Sequence, residues 1–103
     1  MSLAKPLWTA QEMADAAHGT LRGAVQETIT GISIDTRTLS PGDAFFAIKG
    51  DRLDGHDFVE AALAKGASLA IVDAASAERF PDNAPLLVVD ETLQAMRDVA
   101  TAA

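Results

Sequence analysis

The sequence predicts an α/β fold: a small mixed sheet flanked by helices. Three observations carry this. Short apolar runs at 44–48, 69–72 and 86–89 have the length and composition of strands, and the first two suit burial on both faces. Phe58, Ala61, Ala62 and Lys65 follow helical spacing between the first two runs, as in a crossover joining parallel strands. Ser40-Pro41-Gly42-Asp43 is a strong turn signal directly before the first run.

The elements follow in order. Thr9-Ala10-Gln11-Glu12 is a capping-box pattern, and the helix it opens is expected to reach about Ala17. Trp8 anchors its start, and Gly19 is expected to take the left-handed cap after His18. Residues 20–23 read as a short strand and 25–30 as a connection. Ile32 and Ile34 alternate with Ser33 and Asp35, a half-buried strand pattern with the isoleucines inward. Residues 50–55 form a polar loop before a helix from about 57 to 65, which Gly66 stops. Residues 73–85 read as a loop broken by Pro81 and Pro85. Asp90 is expected to cap a final helix carrying Leu93, Met96, Arg97 and Ala100.

Composition bounds the function. The 103 residues fit one domain, with 1–6 read as an N-terminal extension or cloning scar and 7–103 as the domain. Hydrophobic residues make up 49% but aromatics only 5%, which predicts an aliphatic core. The formal charge of −7 repels phosphate backbones and argues against nucleic-acid binding, though not against one phosphate ligand in a locally basic pocket. The chain has no cysteine, no secretory h-region and no apolar run of the ~20 residues that span a bilayer. These features fit a cytoplasmic protein without membrane insertion. The two histidines, His18 and His56, show no ligand spacing, so no metal site is expected. No nucleophile stands with an obvious base, so no catalytic residue is assigned.

Three motifs within residues 34–58 are candidates for ligand binding. Asp35-Thr36-Arg37 follows a strand, where α/β sheets place their ligands, but on spacing alone an Asx turn with a solvated arginine is the simpler reading. Lys49-Gly50 followed by Asp51-Arg52-Leu53-Asp54-Gly55 offers exposed amides to an anion, or is an ordinary flexible loop. His56-Asp57 begins a helix, where backbone amides favour anions, or where Asp54, His56 or Asp57 simply caps. The G-x-x-x-x-G-K-[ST] phosphate loop occurs nowhere.

Asp35-Thr36-Arg37, Ser40-Pro41-Gly42-Asp43, Phe45-Phe46-Ala47-Ile48-Lys49-Gly50, Asp54-Gly55-His56-Asp57-Phe58, Ala61 and Gly66-Ala67, taken in this order and spacing, resemble the N-terminal domain of the Mur ligases. These ATP-dependent ligases build the peptide of the peptidoglycan precursor and so serve cell shape and division. The resemblance runs from about residue 7 to 102. It implies a parent enzyme of three domains: one for the UDP-sugar substrate, a central ATPase and a C-terminal dinucleotide-fold domain. Only the first is matched. Thr36, Leu7-Trp8-Thr9 and His18-Gly19-Thr20-Leu21 resemble the member that adds D-alanyl-D-alanine to UDP-N-acetylmuramoyl-tripeptide. The alternative is the member that adds the third peptide residue, which more often has Ser at the position of Thr36.

By this resemblance Thr36, Asp51, Arg52 and Leu53 match positions that contact the uridine part of the substrate. Arg37, Lys49, Gly50, Asp54 and His56 lie in the same motifs. ATP and Mg²⁺ belong to the parent enzyme, with no cofactor in this chain, and a monomer is implied. A rival class is a non-enzymatic interaction module. It requires an exposed apolar patch, whereas the ligase reading requires a polar, Gly-lined pocket at the strand ends.

Overall fold

The computed structural model describes residues 8–25, 28–50 and 52–102. In chain order they form β1 (Trp8–Thr9), α1 (Ala10–Ala17), β2 (Thr20–Arg22), β3 (Thr28–Ile29), β4 (Gly31–Ser33) and β5 (Asp43–Phe46). A 3-10 turn (Gly55–Phe58) then leads into α2 (Val59–Ala64), β6 (Leu69–Asp73), α3 (Ala74–Ala77), β7 (Leu86–Val89) and α4 (Thr92–Ala102). The main sheet has five strands in the order β2-β7-β6-β5-β4. Strands β4 to β7 are parallel to their neighbours and β2 runs antiparallel against β7, so the sheet is mixed as expected. β1 and β3 form a separate two-stranded antiparallel ribbon.

Alternation along the central strands divides the core in two. Ala44 and Phe46 of β5, with Leu69 and Ile71 of β6, pack beneath Met13 of α1 and Val99 of α4. Phe45, Ala47, Ala70 and Val72 point to the other face, against Val59 and Ala62 of α2 and Ala77 of α3. The aliphatic core predicted from composition is thereby corrected. Phe45 and Phe46 are fully buried, one on each face, and Phe80 joins the second cluster.

Several local expectations are also corrected. The capping box at Thr9 and Glu12 is present in both directions, but His18, not Gly19, takes the left-handed position at φ 58°. Gly19 serves close packing instead, since a Cβ there would stand 2.7 Å from the Val88 carbonyl oxygen. The stretch read as a connection at 25–30 contains β3, with residues 26 and 27 outside the described set. In β4 it is Ser33 that is buried, while Ile32 and Ile34 are exposed. β4 is an edge strand, so its alternation turns the serine, not the isoleucines, toward the core. The loop at 73–85 contains α3, capped by the Asp73 carboxylate, which accepts from the Ser76 amide at 2.7 Å. Glu91 rather than Asp90 caps α4, accepting from the amides of Leu93 and Gln94. The buried stripe of that helix is Thr92, Ala95 and Val99, with Arg97 and Ala100 exposed.

Candidate functional site

Because β4 and β5 are parallel neighbours, the segments leaving their carboxyl ends emerge side by side. A cavity of about 520 Å³ lies between them. The turn after β4 contributes Ile34, Asp35, Thr36 and Arg37. Strand β5 and its continuation contribute Phe45 and Ile48, and the following loop contributes Leu53, Gly55 and Phe58. Ile34, Leu53 and Phe58 are three of the four large apolar residues exposed among the described residues, at 58%, 66% and 38%. They converge on one concavity instead of scattering over the surface, which makes it the candidate ligand site.

The turn is held rigid by its own polar groups. The Ser33 hydroxyl donates to the Asp35 carbonyl and accepts from the Asp35 amide. The Asp35 carboxylate accepts from the Arg37 amide at 2.8 Å and from the guanidinium at 2.8 and 3.1 Å. The Asx turn weighed against a binding role is thus present, and the Arg37 side chain is 86% exposed. Hydrogen bonding from the Arg37 side chain, then from its amide, holds the Asp35 carboxyl down to about 2. From α2's end, Lys65 Nζ donates to the Thr36 carbonyl at 2.6 Å and ties the turn to the helix layer.

The opposing loop is a narrow hairpin. Lys49 and Asp54 bridge antiparallel, the Gly50 amide donates to the Leu53 carbonyl at 2.8 Å, and the Gly55 amide donates to the Ile48 carbonyl at 2.9 Å. A Cβ at Gly55 would stand 2.7 Å from the Ile48 amide nitrogen, so only glycine lets the loop fold back against the strand. Asp54 caps the 3-10 turn by accepting from the His56 amide at 3.0 Å, the capping role its sequence position allows. Burial raises the Asp54 carboxyl, but hydrogen bonds from the His56 amide and ring outweigh it and the net direction is down.

The structure brings Thr36, Arg37 and Leu53 together around the cavity. Lys49, Gly50 and Arg52 are exposed on the hairpin without forming the cavity wall, and Asp51 lies outside the described residues. The His56 ring is fully buried and faces Asp54 and Asp73, not the cavity. Sequence reasoning missed Ile34, Phe45, Ile48 and Phe58 as cavity residues, and Lys65 as a brace. Alternation cannot separate an apolar residue facing a cavity from one facing the core.

Apolar surface from Ile34, Ile48, Leu53 and Phe58 suits a flat ring or apolar face, with the Thr36 hydroxyl as a polar partner at one side. Among the described residues no group of three or more His, Cys, Asp or Glu side chains stands together to hold a metal ion. No described helix is long and apolar enough to cross a membrane.

A mostly parallel sheet between helix layers, with a cavity at its strand ends, defines an α/β domain, and sequence comparison gives its family. Residues 28–103 match the family model described as Mur ligase family, catalytic domain. The chain belongs to the Mur ligase family. It is 36% identical over 96 residues to the UDP-N-acetylmuramoyl-tripeptide–D-alanyl-D-alanine ligase of Bacillus subtilis (strain 168), covering 91% of this chain and 21% of that protein. It is 44% identical over 73 residues to the UDP-N-acetylmuramoyl-L-alanyl-D-glutamate–2,6-diaminopimelate ligase of Streptomyces coelicolor, covering 70% of this chain and 14% of that protein. Among solved structures, MurF from Acinetobacter baumannii superposes with a TM-score of 0.74 at 38% identity, covering 91% of this chain and 20% of that one. The chain therefore spans about a fifth of the length of these relatives, or less.

Proposed function

We propose that this domain holds the UDP end of UDP-N-acetylmuramoyl-tripeptide for a ligase that joins D-alanyl-D-alanine to it in peptidoglycan precursor synthesis. The observation that carries the reading is the cavity between the 34–37 turn and the 48–58 segment, at the carboxyl ends of β4 and β5. Its apolar surface suits the faces of a uracil ring. Its Thr36 hydroxyl suits the ring's polar edge. Contacts to this remote, unreactive end position the reacting carboxylate elsewhere in the enzyme.

ATP and Mg²⁺ are assigned to the parent enzyme rather than to this chain, whose sequence has no phosphate loop to cradle a nucleoside triphosphate. The relation to the diaminopimelate-adding ligases keeps the ligase adding the third residue as the alternative within the family. The docking-module reading is weaker, because the exposed apolar side chains line a concavity and not a flat patch.

The experiment is an NMR titration of the chain with UDP-N-acetylmuramic acid. Saturable shifts confined to amides of 34–37 and 48–58, without matching shifts from ATP, are the expected outcome. No shift at the highest soluble concentration contradicts the reading.

A further inference from the structure

His56 is the only fully buried ionisable side chain among the described residues, and the cavity does not use it. Its ring has a partner on each side. Nδ1 stands 2.6 Å from Asp54 Oδ1, and the Asp73 amide donates to Nε2 at 3.1 Å. An amide can only donate, so Nε2 is the acceptor and Nδ1 carries the proton that goes to Asp54. The two partners belong to different parts of the molecule. Asp54 closes the hairpin that carries Leu53 to the cavity. Asp73 ends β6 and caps α3. The ring therefore spans from the surface hairpin to the end of a central strand of the parallel sheet.

We infer that His56 is a positioning residue for the nucleotide site: it fixes Asp54, and through Asp54 the flanking Leu53 and Gly55, which line one side of the cavity. The inference rests on the nucleotide reading above. Among the described residues the hairpin's other ties are few. Inside it are the Gly50–Leu53 bond and the Gly55–Ile48 bond, and at Asp54 the His56 backbone amide donates to Oδ1 at 3.0 Å and the Asp57 amide donates to the carbonyl at 3.0 Å. Outside, the Asp57–Arg79 ion pair at 2.6 Å joins the 3-10 turn to the chain beyond α3, but both side chains are solvent-exposed and the pair contributes little. The charged groups around the ring are Asp54 and Asp73, whose Oδ2 lies 3.5 Å from Nε2, with Lys49 acting on Asp54 from across the bridge.

Two substitutions separate the two ends of the ring. His56→Asn keeps a donor near the place of Nδ1 and loses the reach to Asp73. His56→Gln keeps an acceptor near the place of Nε2 and loses the donor to Asp54. Both are expected to lower the melting temperature. Only His56→Gln is expected to weaken UDP-N-acetylmuramic acid binding, by about three- to tenfold, the scale of one lost hydrogen bond. Only His56→Gln is expected to lower hydrogen-exchange protection of the Gly50 and Gly55 amides. A purely structural histidine gives equal effects on both readouts in the two variants, and that result overturns the inference.

Should either variant fail to fold, the wild type supplies the test through nitrogen-15 correlations of the ring. The Nδ1–H tautomer, with a ring shift that moves on saturation with UDP-N-acetylmuramic acid, supports the inference. The Nε2–H tautomer, or a ring indifferent to bound ligand, overturns it. Wild-type titration comes first: absence of binding there counts against the nucleotide reading itself, while binding that all variants retain counts against His56 alone.

Discussion

Thr36 lines the cavity, its carbonyl accepts from Lys65, and its hydroxyl is the side-chain polar group it can offer to a ligand. Thr36→Val keeps the shape and removes that hydroxyl. It is expected to weaken UDP binding by about 0.5–1.5 kcal/mol with the melting temperature unchanged. Equal affinity by calorimetry in both proteins would take Thr36 out of the site. Its neighbour Asp35 makes a separate prediction. The folded carboxyl is held at about 2, below its ordinary 3.8, by Arg37. A lowered folded value means the unfolded chain binds the proton first, so the contribution of the pair is present above 3.8 and is lost as pH falls through about 2. Carbon-13 detected titration of Asp35 is expected to give a midpoint near 2, moving upward in Arg37→Ala; a wild-type midpoint at 3.8 would show that the pair does not form. At this scale Thr36, Arg37 and Leu53, singled out in the sequence, line one cavity, while Lys49, Gly50 and Arg52 stand off it and His56 turns inward, which no local pattern showed.

Turn and cap chemistry decide the elements. Gly42, in the turn that launches β5, has φ +95°, and a Cβ there would collide with Thr30 Oγ1. Gly42→Val is expected to destabilise by roughly 1 kcal/mol or more, from backbone conformation and from this contact together. An unchanged denaturation midpoint would contradict it. At α1, Thr9 accepts from the Glu12 amide at 3.0 Å while Glu12 accepts from the Thr9 amide at 2.9 Å. Thr9→Ala is expected to cost about 1 kcal/mol in the same measurement. Both features were legible because they are local. The Thr9–Glu12 spacing and the Ser-Pro-Gly-Asp turn specify their own geometry. The facing of β4 was not legible. Ile32 and Ile34 look like core residues until the sheet makes β4 an edge strand and a cavity gathers Ile34 with Leu53 and Phe58. The four-residue α3 escaped for a related reason: too short for periodicity, it is announced only by the Asp73-to-Ser76 cap.

For the whole molecule, one parallel pairing matters most. The β4–β5 register, Ile32 opposite Ala44 and Ser33 opposite Phe45, sets the 34–37 turn beside the 48–58 segment. The sequence allowed this adjacency, because each segment follows an apolar strand, but pairing between strands is a tertiary fact. The chain carries no phosphate loop, and purified chain is expected to show no ATP turnover above background in a coupled assay. Measurable turnover lost on mutation of a residue in this chain would contradict that expectation. The central claim, that the cavity receives the base of a uridine nucleotide, is tested most directly by intermolecular NOEs. In the complex with UDP-N-acetylmuramic acid, the uracil H5 and H6 protons are expected to contact side-chain protons of Ile34, Leu53 and Phe58. Bound ligand whose uracil protons contact none of these three, or contact residues of the opposite sheet face such as Met13 or Val99, would contradict it.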